Sequence, residues 1–232
     1  MTPILYCHPD SGFSYKVALA LALLGIDFEQ RHIAIWKPRH ERSQEFQSVS
    51  AHGEVPVLLI DGRVLCQSNA ILDYLARRER RLDGRDETTQ LRVREWLSWE
   101  ANRVSLNISH ARFGRRWGGY HPEVLAWYDR RSREDLDRME LQFASTPFLA
   151  SGEPSIADVA CCGYLFFTGE GIDGEGDGIA WADAAGIDLT RWPRVHDWLG
   201  RMAELPGFRT PQQLFAGHEA IYRQGCRGQS GL

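Results

Sequence analysis

The hydrophobic pattern of the chain changes its period near residue 79, and this change limits the possible folds most strongly. Before that point, short apolar runs typical of strands alternate with helical patterns in the order β-α-β-α-β-β-α. Charged and turn residues fill 80–90, and only helical patterns follow them. The sequence therefore predicts an α/β domain over 1–79, a linker over 80–90 and an all-α helical bundle over 91–232.

Individual elements of the first part can be predicted from local signals. Between the third and fourth strands, Asp61-Gly62 is a typical two-residue hairpin turn. The predicted strands cover residues 3–7, 28–35, 55–60 and 63–66, and the predicted helices cover residues 13–24, 41–49 and 68–77. In the second part, helical patterns are predicted at about 93–111, 122–143, 156–167 and 195–205.

Charge and hydrophobicity exclude several classes of protein. The net charge is −4, from 27 basic and 31 acidic side chains, which argues against a nucleic-acid partner. The longest nearly apolar run, 17–26, is about half the length of a bilayer span, so no membrane partner is expected. Because the first 30 residues lack the pattern of a secretory signal, we expect a cytoplasmic protein. The five cysteines are scattered without metal-ligand spacing, which predicts reduced thiols and no metal.

A proline stands at the start of the third predicted strand, where it cannot donate a ladder hydrogen bond. One interpretation is a cis bond between Val55 and Pro56, which turns the backbone of Val55 outward to pair with an extended peptide ligand. The alternative is an ordinary trans proline that opens an edge strand. Local sequence leaves both interpretations open.

Two helix starts are candidate anion sites. Gln67-Ser68 falls between the fourth strand and the last helix of the first part, with Ser68 as the predicted N-cap. Ser11 follows the first strand, where its hydroxyl could donate to an anion beside the first helix. Each serine could instead be a simple cap. Because Val55 and Ser68 would lie at the same end of adjacent strands, a peptide with a terminal carboxylate could contact both.

These residues together resemble the N-terminal domain of the cytosolic glutathione transferases, of the serine-type classes. The resemblance extends over about 3–210, with a capping-box pattern at 154–158 and a last-helix pattern at 192–208. Its N-terminal motifs are Leu5-Tyr6, Ser11, Tyr15-Lys16-Val17, Ala20-Leu21, Gly25-Ile26, Glu45-Phe46, Gly53-Glu54-Val55-Pro56-Val57-Leu58, Gln67-Ser68-Asn69-Ala70-Ile71 and Tyr74-Leu75.

The resemblance implies a role for each matching residue. Ser11 would activate the thiol of glutathione, and Val55, held by cis-Pro56, would pair with the cysteinyl backbone. Gln67 and Ser68 would hold the γ-glutamyl carboxylate. The glycine carboxylate usually meets a basic or amide side chain near the second helix. The candidates for this contact are Lys37, Arg39 and His40.

Two other side chains are alternatives to Ser11 as the residue that reacts with or activates the thiol. Some classes use a tyrosine at the end of the first strand, but Tyr6 fits the structural tyrosine inside that strand better. The redox-active classes place a cysteine at the position of Ser11. Because Cys7 directly follows Tyr6, we expect a strand thiol rather than a glutaredoxin-like disulfide reductase.

A second substrate would bind against the first long helix after the linker. Arg103, Asn107 and His110 are three- or four-residue neighbours there, and could line a polar pocket or be ordinary surface residues. Phe13 and Trp36 complete the predicted pocket. In the later part, Ser155 and Asp158 have the spacing of a capping box, which predicts a structural role.

The family implies a thioredoxin-like α/β domain followed by an all-α domain, in a homodimeric enzyme of detoxification. Glutathione would be its co-substrate and a small electrophile its second substrate. Ser11-Gly12-Phe13-Ser14 also resembles the zeta class of isomerases, although Phe13 stands where that class carries a cysteine. A glutathione-dependent isomerase or dehalogenase is therefore an alternative. A noncatalytic glutathione-transferase-like binding module is another.

Overall fold

The computed structural model describes residues 2–117, 119–167 and 187–216. These residues form two compact units. The first contains residues 2–79 and 206–216, and the second contains the described residues between 80 and 205.

The first unit is a four-stranded mixed sheet with helices. Its strands are β1 (Ile4–Cys7), β2 (Glu29–His32), β3 (Val57–Ile60) and β4 (Arg63–Cys66), in the spatial order β2-β1-β3-β4. Its first helices are α1 (Gly12–Leu24), α2 (Gln44–Val49) and α3 (Ser68–Glu79), with a 3₁₀ turn at Arg39–Glu41. Strand β1 is parallel to β2 and antiparallel to β3, which pairs antiparallel with β4. The predicted β-α-β-α-β-β-α order is confirmed.

Strand register places three chain segments at one edge of this sheet. Tyr6 pairs with Val57, and Val57 pairs with Cys66. The residues after β1, before β3 and after β4 therefore meet at the same edge. The hairpin at the opposite edge has the predicted turn, since Asp61 (φ 51°) and Gly62 (φ 72°) are both left-handed, as a type I′ turn requires.

The last described segment corrects the predicted boundary, which assigned all of 91–232 to the helical bundle. Residues 206–216, including α9 (Pro211–Leu214), pack on the first unit. The Tyr15 hydroxyl donates to the Arg209 carbonyl at 2.9 Å, and Phe215 is 1% exposed beside the His32 ring. A helical period shows that a short segment has an apolar face, but it does not show which unit that face covers.

Gly207 allows this segment to approach α1 closely, because it has no side chain. Its φ is +88°, and an added Cβ would lie 2.6 Å from the carbonyl oxygen of Ala22. We expect Gly207→Ala to lower the free energy of unfolding by about 2 kcal/mol or more, because it adds both backbone strain and a clash with backbone. Gly25→Ala is the matched control: φ is +74° but the space is open, so about 1 kcal/mol is expected. Equal losses in urea unfolding would contradict the clash.

The regular elements of the second unit are all helical in the part of it that the structure describes. They are α4 (Glu87–Asn102), α5 (Val104–Trp117), α6 (Pro122–Gln142), α7 (Ile156–Cys161) and α8 (Pro193–Ala203), with a 3₁₀ turn at Leu189–Arg191. Helix α4 begins inside the predicted linker, because Asp86 caps it by accepting from the Thr89 amide. The predicted 93–111 helix is interrupted at Arg103 (φ −125°, ψ −96°). The predicted 156–167 helix ends at Cys161.

The capping box predicted at the start of α7 is present. Ser155 is the N-cap, and the Asp158 carboxylate accepts from its amide and hydroxyl at 2.9 Å each. The same carboxylate accepts from the Leu149 amide at 2.8 Å and from the Trp198 indole at 3.0 Å. Asp158 therefore joins α7 to a preceding loop and to α8. In the parts of the chain that the structure describes, no helix combines the length and apolarity needed to cross a bilayer.

Candidate functional site

Ser11 caps α1 at the edge of the sheet where the three segments meet. Its side chain is 7% exposed, and its Oγ accepts a hydrogen bond from the Ser14 amide at 3.1 Å. Within the described residues, the Ser11 hydroxyl donates no hydrogen bond. The oxygen is thus held by the helix while its proton stays available for an anion. The α1 N-terminus adds positive potential at the same place.

The turn that carries Ser11 is fixed by residues that sequence reasoning did not identify. The Ser11 amide donates to the His8 carbonyl at 3.0 Å, and the Ser14 hydroxyl accepts from the His8 amide at 3.1 Å. The predicted pocket residue Trp36 meets the His8 ring edge-on, with the centroids 5.0 Å apart. Ordinary cap and turn residues carry no separate sequence signal, so these contacts could not be predicted.

Lys16 connects α1 with the start of α3. It is 1% exposed, and its Nζ donates to Asn69 Oδ1 at 2.8 Å and lies 5.1 Å from the ring centroid of Phe13. Phe13, another predicted pocket residue, therefore lies beside the buried ammonium group. This contact links the helix that carries Ser11 to the helix that begins at Ser68.

The segment before β3 has the expected geometry for pairing with a peptide. The Val55–Pro56 bond is cis, as the first of the two interpretations of the sequence requires, and not trans. Val55 is half-buried, and neither its amide nor its carbonyl hydrogen-bonds to any described residue. A donor and an acceptor on one residue are therefore available at this edge, which suits an added strand.

The start of α3 corrects the predicted cap. The helix begins at Ser68, and Gln67 occupies the cap position because its carbonyl accepts from the Ile71 amide at 3.0 Å. Gln67 has a φ of 68°, a left-handed conformation that costs a non-glycine residue roughly 1 kcal/mol. Ser68 is 7% exposed, and its hydroxyl has no partner among the described residues. This hydroxyl and the first helix amides can together hold a carboxylate.

Of the three basic candidates near α2, the structure brings Arg39 to the segment before β3. Arg39 packs against Gly53, and its Nη2 lies 3.2 Å from Glu54 Oε1. Lys37 is exposed, and His40 lies 3.7 Å from the Glu41 carboxylate. Neither Lys37 nor His40 forms a side-chain hydrogen bond or ion pair with the Gly53–Val55 segment.

Arg42 organises this region, and sequence reasoning missed it. Its guanidinium donates to the carbonyls of Ile35 (2.8 Å), Lys37 (3.2 Å) and Gly53 (2.5 Å). Burial and the charge of Arg39 lower the pKa of Arg42. Because one arginine binds carbonyls from two loops, it fixes the Trp36–Lys37 loop relative to the segment that leads into Val55.

The predicted polar pocket residues of the second unit have partners inside that unit. Arg103 Nε and Asn107 Nδ2 donate to the Asp135 carboxylate at 2.6 and 2.5 Å. Burial raises the pKa of Asp135, against the opposing effect of these donors. In the structure, the polar groups of Arg103 and Asn107 therefore bind the buried Asp135 carboxylate and do not line a pocket through these donors. Their partner lies on another helix, so spacing on their own helix could not identify it.

His110 belongs to an aromatic cluster of the second unit. Its ring stacks on Tyr128, with centroids 4.6 Å apart, and its Nδ1 hydrogen-bonds to the Tyr120 hydroxyl. Burial lowers the pKa of His110, so the neutral imidazole is favoured.

This pKa shift predicts a pH dependence of stability. The unfolded imidazole titrates near 6.5, and the folded one titrates lower. Between the two values the unfolded chain binds more protons, so stability falls as the pH decreases through this window. We expect His110→Phe, which keeps a stacked ring, to lose less stability between pH 7.5 and 5.5 than the unmodified chain in urea unfolding. Equal losses would contradict this contribution.

The two competitors of Ser11 are engaged elsewhere. The Tyr6 hydroxyl donates to Glu45 Oε1 at 2.7 Å, and the Tyr6 ring packs against Phe46. Cys7 lies in β1 with no exposed surface, and burial raises its pKa to about 12. A thiol with this pKa is protonated at neutral pH, which disfavours redox chemistry.

Comparison with known proteins agrees with this fold. The family model described as "Glutathione S-transferase, N-terminal domain" matches residues 5–82. A solved glutathione S-transferase from Xanthobacter autotrophicus Py2 superposes with a TM-score of 0.77 and 32% identity, covering 91% of this chain and 98% of that one. The chain therefore belongs to the glutathione S-transferase family, with a thioredoxin-like N-terminal domain and a helical C-terminal domain.

The chain is also similar to relatives named maleylacetoacetate isomerase. The Pseudomonas aeruginosa protein is 26% identical over 211 residues, which cover 88% of this chain and 93% of the relative. The Rattus norvegicus protein is 45% identical over 74 residues, which cover 32% of this chain and only 34% of the relative. The family resemblance noted in the sequence, including its zeta-class component, is confirmed.

Proposed function

We propose that this chain binds glutathione at the sheet edge and activates its thiol for reaction with a small electrophile. Ser11 would stabilise the thiolate, and Val55 would pair with the cysteinyl backbone. Gln67 and Ser68 would hold the γ-glutamyl carboxylate, and Arg39 the glycine carboxylate. The observation that carries the proposal is the Ser11 hydroxyl, whose oxygen is held by the Ser14 amide and whose proton is available.

The mechanism requires little covalent work from the protein. A free cysteine-type thiol has a pKa near 8.5 and is mostly protonated at neutral pH. A hydrogen bond from Ser11, together with the α1 N-terminus, favours the thiolate. In conjugation the thiolate forms a carbon–sulfur bond, and the leaving group departs with its electron pair. No residue needs to carry the substrate covalently.

Glutathione-dependent isomerisation is the second candidate, and the similarity to relatives named maleylacetoacetate isomerase favours it. In this reaction the thiolate adds to a double bond, the resulting single bond rotates, and elimination of the thiolate restores the double bond. Glutathione is then regenerated. The same Ser11 geometry serves both reactions, because both begin with a thiolate.

Binding and stoichiometry test the proposal and separate its two forms. Titration calorimetry is expected to show one glutathione per chain, and the absence of binding would favour a noncatalytic module. With a chloroarene as electrophile, conjugation consumes one glutathione per product. With maleylacetoacetate, isomerisation proceeds without net consumption of glutathione.

We also propose that the protein is a cytoplasmic homodimer with a role in detoxification. Light scattering would test the dimer.

A further inference from the structure

Glu54 lies directly before Val55, and both of its carboxylate oxygens contact residues of the candidate site. Its Oε1 is 3.2 Å from Arg39 Nη2, and its Oε2 accepts from Gln67 Nε2 at 3.4 Å. The Ser50 hydroxyl accepts from the Glu54 amide at 3.1 Å and donates to the Glu54 carbonyl at 3.2 Å. The backbone of Glu54 is therefore fixed, and its carboxylate bridges two side chains from separate loops.

We propose that Glu54 is an internal competitor, whose carboxylate competes with the carboxylates of glutathione for Arg39 and Gln67. The inference rests on the proposed function, which assigns Arg39 to the glycine end of the tripeptide and Gln67 to the γ-glutamyl end. A carboxylate of the ligand uses the same donors that Glu54 uses. Glu54 thereby tunes the affinity of the site for an anionic peptide and opposes tight retention.

The exposure of these side chains sets the size of the effect. The Arg39 and Glu54 side chains are 66% and 56% exposed, so solvent screens their attraction. A pair of this kind is displaced easily by a ligand that offers its own carboxylate. The negative charge of the Glu54 side chain also repels the carboxylates of the ligand at short range. Both effects act in the same direction, and in Glu54→Gln the repulsion disappears while the competition for the donors weakens, because the neutral amide is a poorer acceptor than the carboxylate.

Calorimetric titration with glutathione, on the full chain, tests the proposal. Glu54→Gln keeps the size of the side chain and removes its charge, and we expect the Kd for glutathione to fall about two- to fivefold. This gain should shrink in an Arg39→Gln background, because the competition acts through the guanidinium. It should also shrink at high salt, since the contacts are exposed. Glu54→Ala should show the same direction of change.

The matched control is Glu29→Gln, which removes an exposed carboxylate that binds Arg31 Nε at 2.7 Å in the same unit. We expect no change in its Kd for glutathione. If Glu54→Gln and Glu54→Ala bind glutathione as the unmodified chain does, or more weakly, competition is excluded and only this inference fails. If the unmodified chain itself does not bind glutathione, the proposed function fails and the inference fails with it.

Discussion

Ser11→Ala is expected to lower kcat by about a hundredfold or more, while the Kd for glutathione changes by less than about fivefold. In the proposed mechanism the substitution removes the hydrogen bond that favours the thiolate, so less of the bound glutathione is ionised, and loss of one donor to an anionic centre typically costs a factor of about 10² to 10³. We expect binding to survive because the proposed contacts of the Val55 backbone and of the start of α3 with the peptide do not involve the sulfur. Steady-state turnover with a model electrophile, combined with calorimetry, measures both quantities.

Two controls show whether the effect is chemical. The same substitution removes the cap of α1, so we expect a loss of about 1 kcal/mol in stability, which urea unfolding measures independently. Tyr6→Phe should leave kcat within about twofold, since the Tyr6 hydroxyl donates to Glu45. The reverse pattern, with Ser11→Ala active and Tyr6→Phe inactive, would transfer the thiol-activating role to Tyr6.

Asp158→Ala is expected to have the largest effect on stability, a loss of about 3 to 5 kcal/mol. The carboxylate has no exposed surface and accepts from two amides, one hydroxyl and the Trp198 indole. Removing it leaves these donors buried without an acceptor, which costs more than the net value of the bonds themselves. Urea unfolding at fixed pH, followed by far-ultraviolet circular dichroism, measures the loss.

A comparison within the same unit isolates the role of burial. Asp197 lies on α8 with its side chain 69% exposed, so Asp197→Ala should change stability by no more than about 0.5 kcal/mol. Asp158→Asn keeps part of the acceptor capacity and should fall between the two alanine variants. A loss below about 1 kcal/mol for Asp158→Ala would show that the neighbouring donors find other acceptors.

The parts of the fold that sequence predicted correctly are those set by local chemistry. Asp61-Gly62 forms the hairpin because both residues tolerate a positive φ, and Ser155 and Asp158 form the capping box because their spacing allows reciprocal bonds. The meeting of the Val55 and Ser68 segments at one edge was predictable because they lie at the same end of adjacent strands. These features depend on neighbouring residues or on strand direction.

The features that sequence missed depend on partners far along the chain. The break at Arg103 interrupts an apolar stripe that continues through it, and its partner Asp135 is 32 residues away. Arg42 and Glu54 lie in irregular segments, where no periodicity indicates which carbonyls or side chains they meet. Such contacts depend on the conformation of the folded loop, so they cannot be predicted from the pattern of residue types along the chain.

Ultraviolet titration of the thiolate of bound glutathione tests the central claim most directly. The account predicts an apparent pKa well below the value of about 8.5 for a free cysteine-type thiol, and a return toward that value in Ser11→Ala at saturating glutathione. A bound thiol that titrates identically in the unmodified chain and in Ser11→Ala would contradict the assignment of Ser11 as the group that activates sulfur.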